Sequence, residues 1–230
     1  TTTPTGPTHT PTQTRTPTLT PTITLTPTAS NTPTRTLSPT PSPTMPPREV
    51  WCYRVSTPPQ IDGDLADWQR IGGSWMGNGA AGSIGKDPIQ SLEDLSAEMW
   101  LRWDDTNLYF AMIVYDSALV ADSGDSLWHD DSVELSLDGA NDMVAGGADD
   151  HRFSVSIAGV FWHFGGEIDP TWQLVANAAA GNYVVEMAIP LSILTSAPLT
   201  PGAVMGINVG IHDDDDSGYY DTYLIWANNT

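Results

Sequence analysis

The segment from Ser132 to Asp138 alternates strictly between polar and apolar residues. Its three aliphatic residues share one face of an extended chain, and Glu134 lies in the middle of the polar face. Because successive side chains of a strand point to opposite faces, this pattern predicts a half-buried β-strand. Trp128 precedes the strand by a few residues and is expected in the loop that leads into it.

Similar strand patterns recur along the second part of the chain, and no amphipathic helical pattern of useful length occurs. In residues 107–115 both faces are apolar, which predicts a central strand covered on both sides. The Gly- and Ser-rich residues 72–94 are expected to form a flexible surface loop. Many short strands without crossover helices predict an all-β fold, an antiparallel β-sandwich. The other predicted strands are residues 98–103, 151–158, 160–164, 183–189, 204–212 and 222–227.

Composition divides the chain near residue 48. Residues 1–47 contain 20 Thr and 12 Pro and no acidic residue, Trp or Tyr. Such a segment has too few large apolar side chains to offset the entropy of ordering, so residues 1–48 are predicted to be a disordered Thr/Pro-rich linker. Residues 49–230 hold all 28 acidic residues and all nine tryptophans, and they are long enough for one domain with a substantial core.

The charge of this domain limits its partners. Only five basic residues accompany its 28 acidic ones, so it is expected to repel nucleic acids and anionic membranes and to favour neutral ligands or divalent cations. No apolar run reaches the length that spans a bilayer. Low lysine content and a Thr/Pro spacer are typical of a secreted or cell-surface bacterial protein, and we expect a monomeric module tethered to other domains.

Clustered aspartates suggest a metal ion. Four successive aspartates begin at Asp213, and further aspartates recur in the segment 61–68. Since calcium takes six to eight oxygen ligands and neighbouring carboxylates repel one another, we expect a structural calcium ion. Its candidate ligands are Asp62, Asp64, Asp213 and Asp214.

A tryptophan next to a strand carboxylate is suited to hold a sugar. The flat ring can cover the C–H surface of a pyranose, and the carboxylate can accept hydrogen bonds from its hydroxyls. Taken alone, however, Trp128 and Glu134 favour the plainer interpretation, in which the tryptophan is buried beside a core strand and the carboxylate is merely solvated.

Five segments, in this order along the chain, change that balance. They are I-D-G-D-L-A-D-W (61–68), W-D-D-T-N-L-Y-F-A-M-I-V-Y-D (103–116), L-W-H-D-D-S-V-E-L-S-L-D (127–138), Y-V-V-E-M-A-I-P (183–190) and G-I-N-V-G-I-H-D (206–213). The combination covers about residues 53–226, and it resembles carbohydrate-binding module family 9 and its relatives in the DOMON-like superfamily.

The resemblance implies a jelly-roll or DOMON-like β-sandwich attached to secreted polysaccharide-degrading enzymes, with calcium as a structural ion. It further implies that a sugar lies between two tryptophans. Trp128 falls on the first of these positions and Glu134 on a sugar-binding glutamate. The position of a binding arginine corresponds to Ser154, and Arg152 is two residues earlier on the same face. Asn208 is a further candidate on the polar face of residues 204–212.

The second tryptophan of the family belongs to a loop after the strand that ends near Trp226. Either Trp226, Trp162 or Trp172 takes that role here, or the domain 49–230 is truncated at its C-terminus and lacks the second wall.

The sequence therefore predicts a non-catalytic module that binds plant-type glucan or xylan oligosaccharides or chain ends. It would target a secreted glycoside hydrolase or a cell surface to polysaccharide in carbohydrate catabolism. Two alternatives remain open. One is a haem-binding electron-transfer domain of the same superfamily, although the only lysine is Lys86 and several methionines fall on core-facing positions. The other is a surface-adhesion module without a sugar pocket.

Overall fold

Two six-stranded sheets pack face to face. In this computed structural model the described residues are 49–68, 70–77, 82–85, 88–144, 146–164, 171–194 and 199–227. The chain divides into two units, Thr1–Met45 and Pro46–Thr230, and every described residue belongs to the second. The predicted linker, residues 1–48, lies outside the described residues.

The first sheet has the strand order β1-β4-β5-β10-β9. The side of β4 that faces away from β5 pairs with two short strands. β1 pairs in parallel with Leu101–Trp103, and β2 pairs antiparallel with Ala97–Met99. All other pairs of this sheet are antiparallel. The strands are β1 (Cys52–Arg54), β2 (Ser74–Met76), β4 (Leu95–Trp103), β5 (Asn107–Asp116), β9 (Gln173–Ala179) and β10 (Asn182–Pro190).

The second sheet has the order β3-β12-β11-β6-β7-β8, and all its pairs are antiparallel. Its strands are β3 (Gly82–Gly85), β6 (Ser132–Asp138), β7 (Asp150–Ser156), β8 (Phe161–Phe164), β11 (Gly206–Asp213) and β12 (Thr222–Ile225). The predicted β-sandwich is therefore confirmed, and β6 has the predicted bounds.

The core lies between the two sheets, and it is filled by the apolar sides of the alternating strands. From β6 it takes Val133, Leu135 and Leu137, all at most 3% exposed. The central strand β5 is apolar on both faces, as predicted. Phe110 on one face reaches this core, while Tyr109 on the other packs in a second cluster with Leu65, Trp68 and Trp100.

The strands that sequence patterns missed are short or lie at sheet edges. The prediction of a flexible loop over residues 72–94 is wrong, because that stretch contains β2 and β3. β1 and β9 were also missed. Three-residue strands are too short to show a period, and the alanines of β9 are not typical of strands.

A buried glutamate anchors the loop that covers the outer face of the first sheet. Glu186, on β10, is fully buried, and it accepts hydrogen bonds from the backbone N–H groups of Asp62 and Gly63 and from the indole Nε1–H of Trp68. Next to this contact, the single turn of 3₁₀ helix Leu65–Asp67 begins after Asp64, whose carboxylate accepts from the backbone N–H of Ala66. Three donors on one buried acceptor thus add to the packing of Leu65 and Trp68 in holding this loop on the sheet.

We expect Glu186→Ala to lower the free energy of unfolding by about 3 kcal/mol, because it leaves the buried donors of Gly63 and Trp68 and the part-buried donor of Asp62 without an acceptor. Urea denaturation followed by tryptophan fluorescence measures this loss. Glu93→Ala removes an exposed glutamate and serves as the control. Equal midpoints for the two variants would contradict this role of Glu186.

Candidate functional site

The outward face of the second sheet carries a row of polar residues centred on Glu134. Its direct neighbours across the strands are Gly210 on β11 and Ser154 on β7, and Ser154 is paired in turn with Trp162 on β8. Ser154 is 5% exposed, whereas Glu134 is partly exposed. The strand alternation that fills the core on one side thus assembles this row on the other.

Two side chains hold the Glu134 carboxylate from opposite directions. The Tyr223 hydroxyl, from β12, donates to Oε1 over 3.3 Å. The Nε of Arg152, from β7, lies 3.7 Å from Oε2. Burial raises the pKa of Glu134, while the positive charge of Arg152 and the Tyr223 hydrogen bond oppose that rise. The carboxylate is therefore held in one orientation, with the neutral Tyr223 hydroxyl beside Oε1 and the cationic Arg152 beside Oε2.

Trp128 and Trp162 form an aromatic corner beside this row. Trp128 is 43% exposed, and its ring meets that of Trp162 edge to face, at 6.4 Å and 74°. The Arg152 guanidinium lies 5.8 Å from the Trp162 ring and 5.3 Å from Phe164. Trp128 is thus an exposed ring on the polar side of the sheet, and not a core residue.

The structure separates the three candidates for a second tryptophan wall. Trp226 is 1% exposed and lies in the inter-sheet core, where its Nε1 donates to the Ser74 hydroxyl, so its assignment as a sugar-binding residue is wrong. Trp172 packs against the inward-facing Phe153 and His163. Of the three, only Trp162 shares the outward face with Trp128, and its perpendicular ring makes a corner and not a parallel clamp.

Asn208 lies on the outward face, but its side-chain oxygen is already hydrogen-bonded to the backbone. Its strand partner on β6 is Ser136, two residues beyond Glu134. The Asn208 Oδ1 accepts from the backbone N–H groups of Val209 and Ala227. Its amide Nδ2 is the part that remains for an external ligand.

A series of aromatic contacts runs from His129, which follows Trp128, to the loop after β11. His129 packs on Tyr219 at 4.4 Å between ring centroids, and Tyr219 packs on Tyr220 at 4.6 Å. His212 then joins Tyr220 to Tyr223, with centroid separations of 4.9 and 4.4 Å. Tyr219 is 54% exposed. These tyrosines were not singled out from the sequence, because no pattern links residues 219–223 to Trp128.

Behind these rings lie groups of aspartates whose carboxylate oxygens are within 4.8 Å of one another. Four of these aspartates, all at most 5% exposed, each have one carboxylate oxygen without a hydrogen-bond partner. These four are Asp116, Asp130, Asp213 and Asp214. Three of the groups share aspartates of residues 213–216: Asp116 with Asp213 and Asp215, Asp122 with Asp130 and Asp214, and Asp214 with Asp216 and Asp221. A fourth group, Asp138 with Asp149 and Asp150, lies at the opposite end of β6, away from the rings.

Burial and repulsion between neighbouring carboxylates raise the pKa values of Asp116, Asp213 and Asp214. Burial, with repulsion from Asp116 and Asp215 among others, raises the pKa of Asp213 to about 8. Burial and neighbouring aspartates likewise raise the pKa values of Asp116 and Asp131. Buried, clustered carboxylate oxygens without donors are the chemistry that a hard cation such as calcium prefers.

Asp131 joins the two loops that carry the aromatic rings. One of its oxygens accepts from the backbone N–H of Asp214, and the other accepts from that of Val120. Asp130 accepts from the N–H groups of Asp122 and Ser123. The loop with Trp128 and the loop with Tyr219 are therefore fastened to each other at the aspartate groups.

Of the four predicted calcium ligands, the structure brings Asp213 and Asp214 into these groups but not Asp62 and Asp64. The Asp62 carboxylate accepts from the N–H of Asp64, and Asp64 caps the 3₁₀ turn on the first sheet. The structure thus shows Asp62 and Asp64 shaping a turn, and in sequence such aspartates look the same as aspartates that bind metal.

Comparison with known proteins identifies the family of this domain. A family model described as "Carbohydrate family 9 binding domain-like" matches residues 80–230. Endo-1,4-beta-xylanase A of Thermotoga neapolitana is 28% identical over 174 residues, which are 75% of this chain and 16% of that protein. Exoglucanase XynX of Acetivibrio thermocellus is 28% identical over 172 residues, 74% of this chain and 14% of its own length. The chain thus spans a small part of these curated relatives.

Two solved structures have the same fold. Both are carbohydrate binding modules of family 9 from Caldicellulosiruptor kristjanssonii. The complex with cellotriose has a TM-score of 0.63 at 25% identity, covering 78% of this chain and 85% of its own. The complex with glucose has a TM-score of 0.61 at 27% identity, covering 77% and 86%. Together with the family match over residues 80–230, these similarities show that the chain belongs to the carbohydrate-binding module family 9.

Proposed function

We propose that the domain is a non-catalytic module that binds short oligosaccharides or chain ends of plant-type glucans and xylans. The observation that carries the proposal is the exposed Trp128 ring next to the oriented Glu134 carboxylate on one open sheet face. The ring supplies a C–H-binding surface, and Glu134 and Arg152 supply an acceptor and a donor for sugar hydroxyls. The relatives solved with cellotriose and glucose support this choice of ligand.

The charge of the protein supports a neutral ligand. Formal net charge is −20 at pH 7, which disfavours the approach of anionic polymers. At the site itself, Arg152 already lies beside Glu134, which leaves little free positive charge for an acidic sugar. Neutral hexose and pentose chains fit both conditions.

The haem-binding alternative finds less support. Met112 and Met187 are fully buried in the inter-sheet core, packed among aliphatic and aromatic side chains. Lys86, the only lysine, lies outside the described residues. A visible spectrum of the purified protein separates the two functions, since a haem protein shows a Soret band. Silence on a glycan array with a folded domain would favour the adhesion alternative.

The setting we propose is a secreted or cell-surface bacterial protein in which the Thr/Pro-rich segment tethers a monomeric module. Tethering would raise the effective concentration of a glycoside hydrolase or a cell surface at an insoluble polymer. Within the described residues, no helix has the length and apolar character that a membrane crossing requires. The curated relatives named as a xylanase and an exoglucanase support a role in carbohydrate catabolism.

We further propose that calcium occupies the aspartate groups behind the rings. Asp122, Asp130 and Asp214 join the loop of Trp128 to the loop of Tyr219, so a cation there would hold both loops. The oxygens of Asp130 and Asp214 that lack a donor support this site. Bound calcium would act structurally, by neutralising carboxylates that otherwise repel one another.

We expect Trp128→Ala to weaken binding of cello- or xylo-oligosaccharides at least about tenfold, because the stacking surface is removed from an already exposed position. Isothermal titration calorimetry with the full chain measures the affinity. The matched control is Trp75→Ala, since Trp75 is 47% exposed on the first sheet, away from Glu134. The assignment fails if Trp128→Ala binds as tightly as the wild type.

We expect the stabilisation by calcium to grow as the pH rises from about 5 to 8. Without a cation, Asp213 and its neighbours take up protons on folding, because their pKa values are raised above the unfolded value of about 3.9. Their protonated form therefore favours the folded state at low pH, and this contribution is lost as the pH rises towards about 8. Calcium replaces those protons, so its effect is largest where the carboxyls would ionise.

Differential scanning fluorimetry with calcium and with chelator, at pH 5 and pH 8, measures this difference in Tm. Asp214→Asn should reduce the calcium effect at pH 8. Asp105→Asn should leave it unchanged, since Asp105 is exposed and pairs with Arg54. A calcium effect that is equal at both pH values, or larger at pH 5, would refute the site.

A further inference from the structure

We propose that Tyr223 is a ligand-contacting and positioning residue of the sugar site, and that Gly210 is required because the Tyr223 ring lies across it. This inference rests on the proposed function, since it assigns a further residue to the same site. Tyr223 lies outside the five segments that carry the family resemblance, and Gly210 lies inside the last of them. The ligand class is the neutral oligosaccharide proposed above, and Tyr223 would select for a hydroxyl group next to the one that Glu134 accepts.

The strand registers place Tyr223 two strands away from Glu134. Tyr223 on β12 pairs with His212 on β11, while Glu134 on β6 pairs with Gly210 on β11. Tyr223 nevertheless reaches the Glu134 Oε1 over 3.3 Å. Its side chain must therefore cross β11 diagonally, above Gly210.

The space above Gly210 is filled by that phenol. A Cβ added at Gly210 would overlap the Tyr223 hydroxyl and would lie 2.5 Å from the Cε2 and Cζ atoms of the ring. Real Cβ atoms do not approach so closely, and the neighbour is an aromatic ring that also packs on His212 at 4.4 Å. Any side chain at this position would expel the ring from its place.

Glycine at this position is therefore explained by its neighbour and not by backbone conformation. Gly210 is not among the residues with positive φ. In the middle of a strand, glycine costs entropy and leaves a gap in the packing, and it commonly marks the close approach of another group. Here that group is the Tyr223 phenol, whose hydroxyl lies 3.3 Å from the Glu134 Oε1.

The phenol has capacity left for a ligand. Its proton goes to Glu134, and its oxygen can still accept a hydrogen bond from a sugar hydroxyl. Glu134 then accepts from a neighbouring hydroxyl, and Arg152 donates from the other side. A pair of adjacent sugar hydroxyls is the group that this set of donors and acceptors matches.

The Tyr223 hydrogen bond also contributes to the pKa of Glu134. The groups that face this carboxylate are Arg152 from β7 and Tyr223 from β12, and His212 on β11 lies behind the Tyr223 ring. Both Arg152 and the Tyr223 hydrogen bond lower the pKa of Glu134 against the effect of burial. Loss of the hydroxyl should therefore raise the pH at which acid abolishes sugar binding.

The test is calorimetric titration of the full chain with cellotriose, for wild type, Tyr223→Phe and Gly210→Ala. We expect Tyr223→Phe to weaken binding about tenfold, the effect of one or two hydrogen bonds at a partly buried site. The acid limb of its binding curve should also move to higher pH, which a merely structural role would not produce. Tyr115→Phe, which removes a hydroxyl from the other sheet, is the matched control with wild-type affinity.

A double-mutant cycle separates displacement of the ring from direct obstruction of the ligand. If Gly210→Ala acts by expelling Tyr223, it weakens binding in the wild type but changes it less than about twofold in a Tyr223→Ala background. An equal loss in both backgrounds means that the new methyl group blocks the ligand itself, and this result overturns the inference. Thermal denaturation of each variant checks that the fold is retained.

Failure of this inference and failure of the proposed function give different results. If the wild type binds and Trp128→Ala does not, but Tyr223→Phe has wild-type affinity and pH dependence, the inference is wrong and the function stands. If Tyr223→Ala binds too weakly for the cycle, the pH dependence of Tyr223→Phe decides. If the folded wild type binds no oligosaccharide, both are wrong.

Discussion

The register of β6 is the constraint on which both the core and the candidate site depend. The seven residues Ser132–Asp138 fill the core from one face and present Glu134 on the other. A slip of one residue would bury Glu134 and expose the aliphatic side chains, so apolar burial fixes the position of the carboxylate. The neighbours of Glu134 follow from the same pairing: Ser154 and Gly210 lie directly opposite, and Tyr223 reaches across β11 from β12, two strands away. Hydrophobic packing on the inside thus positions polar chemistry on the outside.

The floor and the rim of the site are stabilised by different forces. The floor consists of strand residues, whose places are set by backbone pairing and core burial. The rim consists of Trp128 and Tyr219, on loops that meet at aspartates and at the hydrogen bonds of Asp131. Burial and repulsion disfavour charge on Asp131 and Asp213, so protonation, or the calcium ion proposed above, would stabilise the rim and not the floor.

Sequence reasoning succeeded where a strict period existed and failed where contacts cross between strands. The alternation of β6 predicts its bounds and the outward direction of Glu134, and the double-sided apolar pattern of β5 predicts a central strand. Tyr223 could not be found in this way, because its contact with Glu134 depends on the register of three strands; the one available signal was the glycine at an outward strand position, Gly210. Trp226 was misassigned because an indole ring suits a core as well as it suits a sugar, and only packing distinguishes the two.

Amide and indole chemical-shift mapping with cellotriose tests the central claim most directly. In ¹H–¹⁵N correlation spectra of the full chain, the account predicts shifts that saturate at the indole of Trp128 and at the backbone amides of Glu134, Ser154 and Tyr223. The indole of Trp75, on the first sheet, should not move. Saturable shifts confined to the first sheet, or no shifts at all from a folded protein, would contradict the assignment of the site to the outward face of the second sheet.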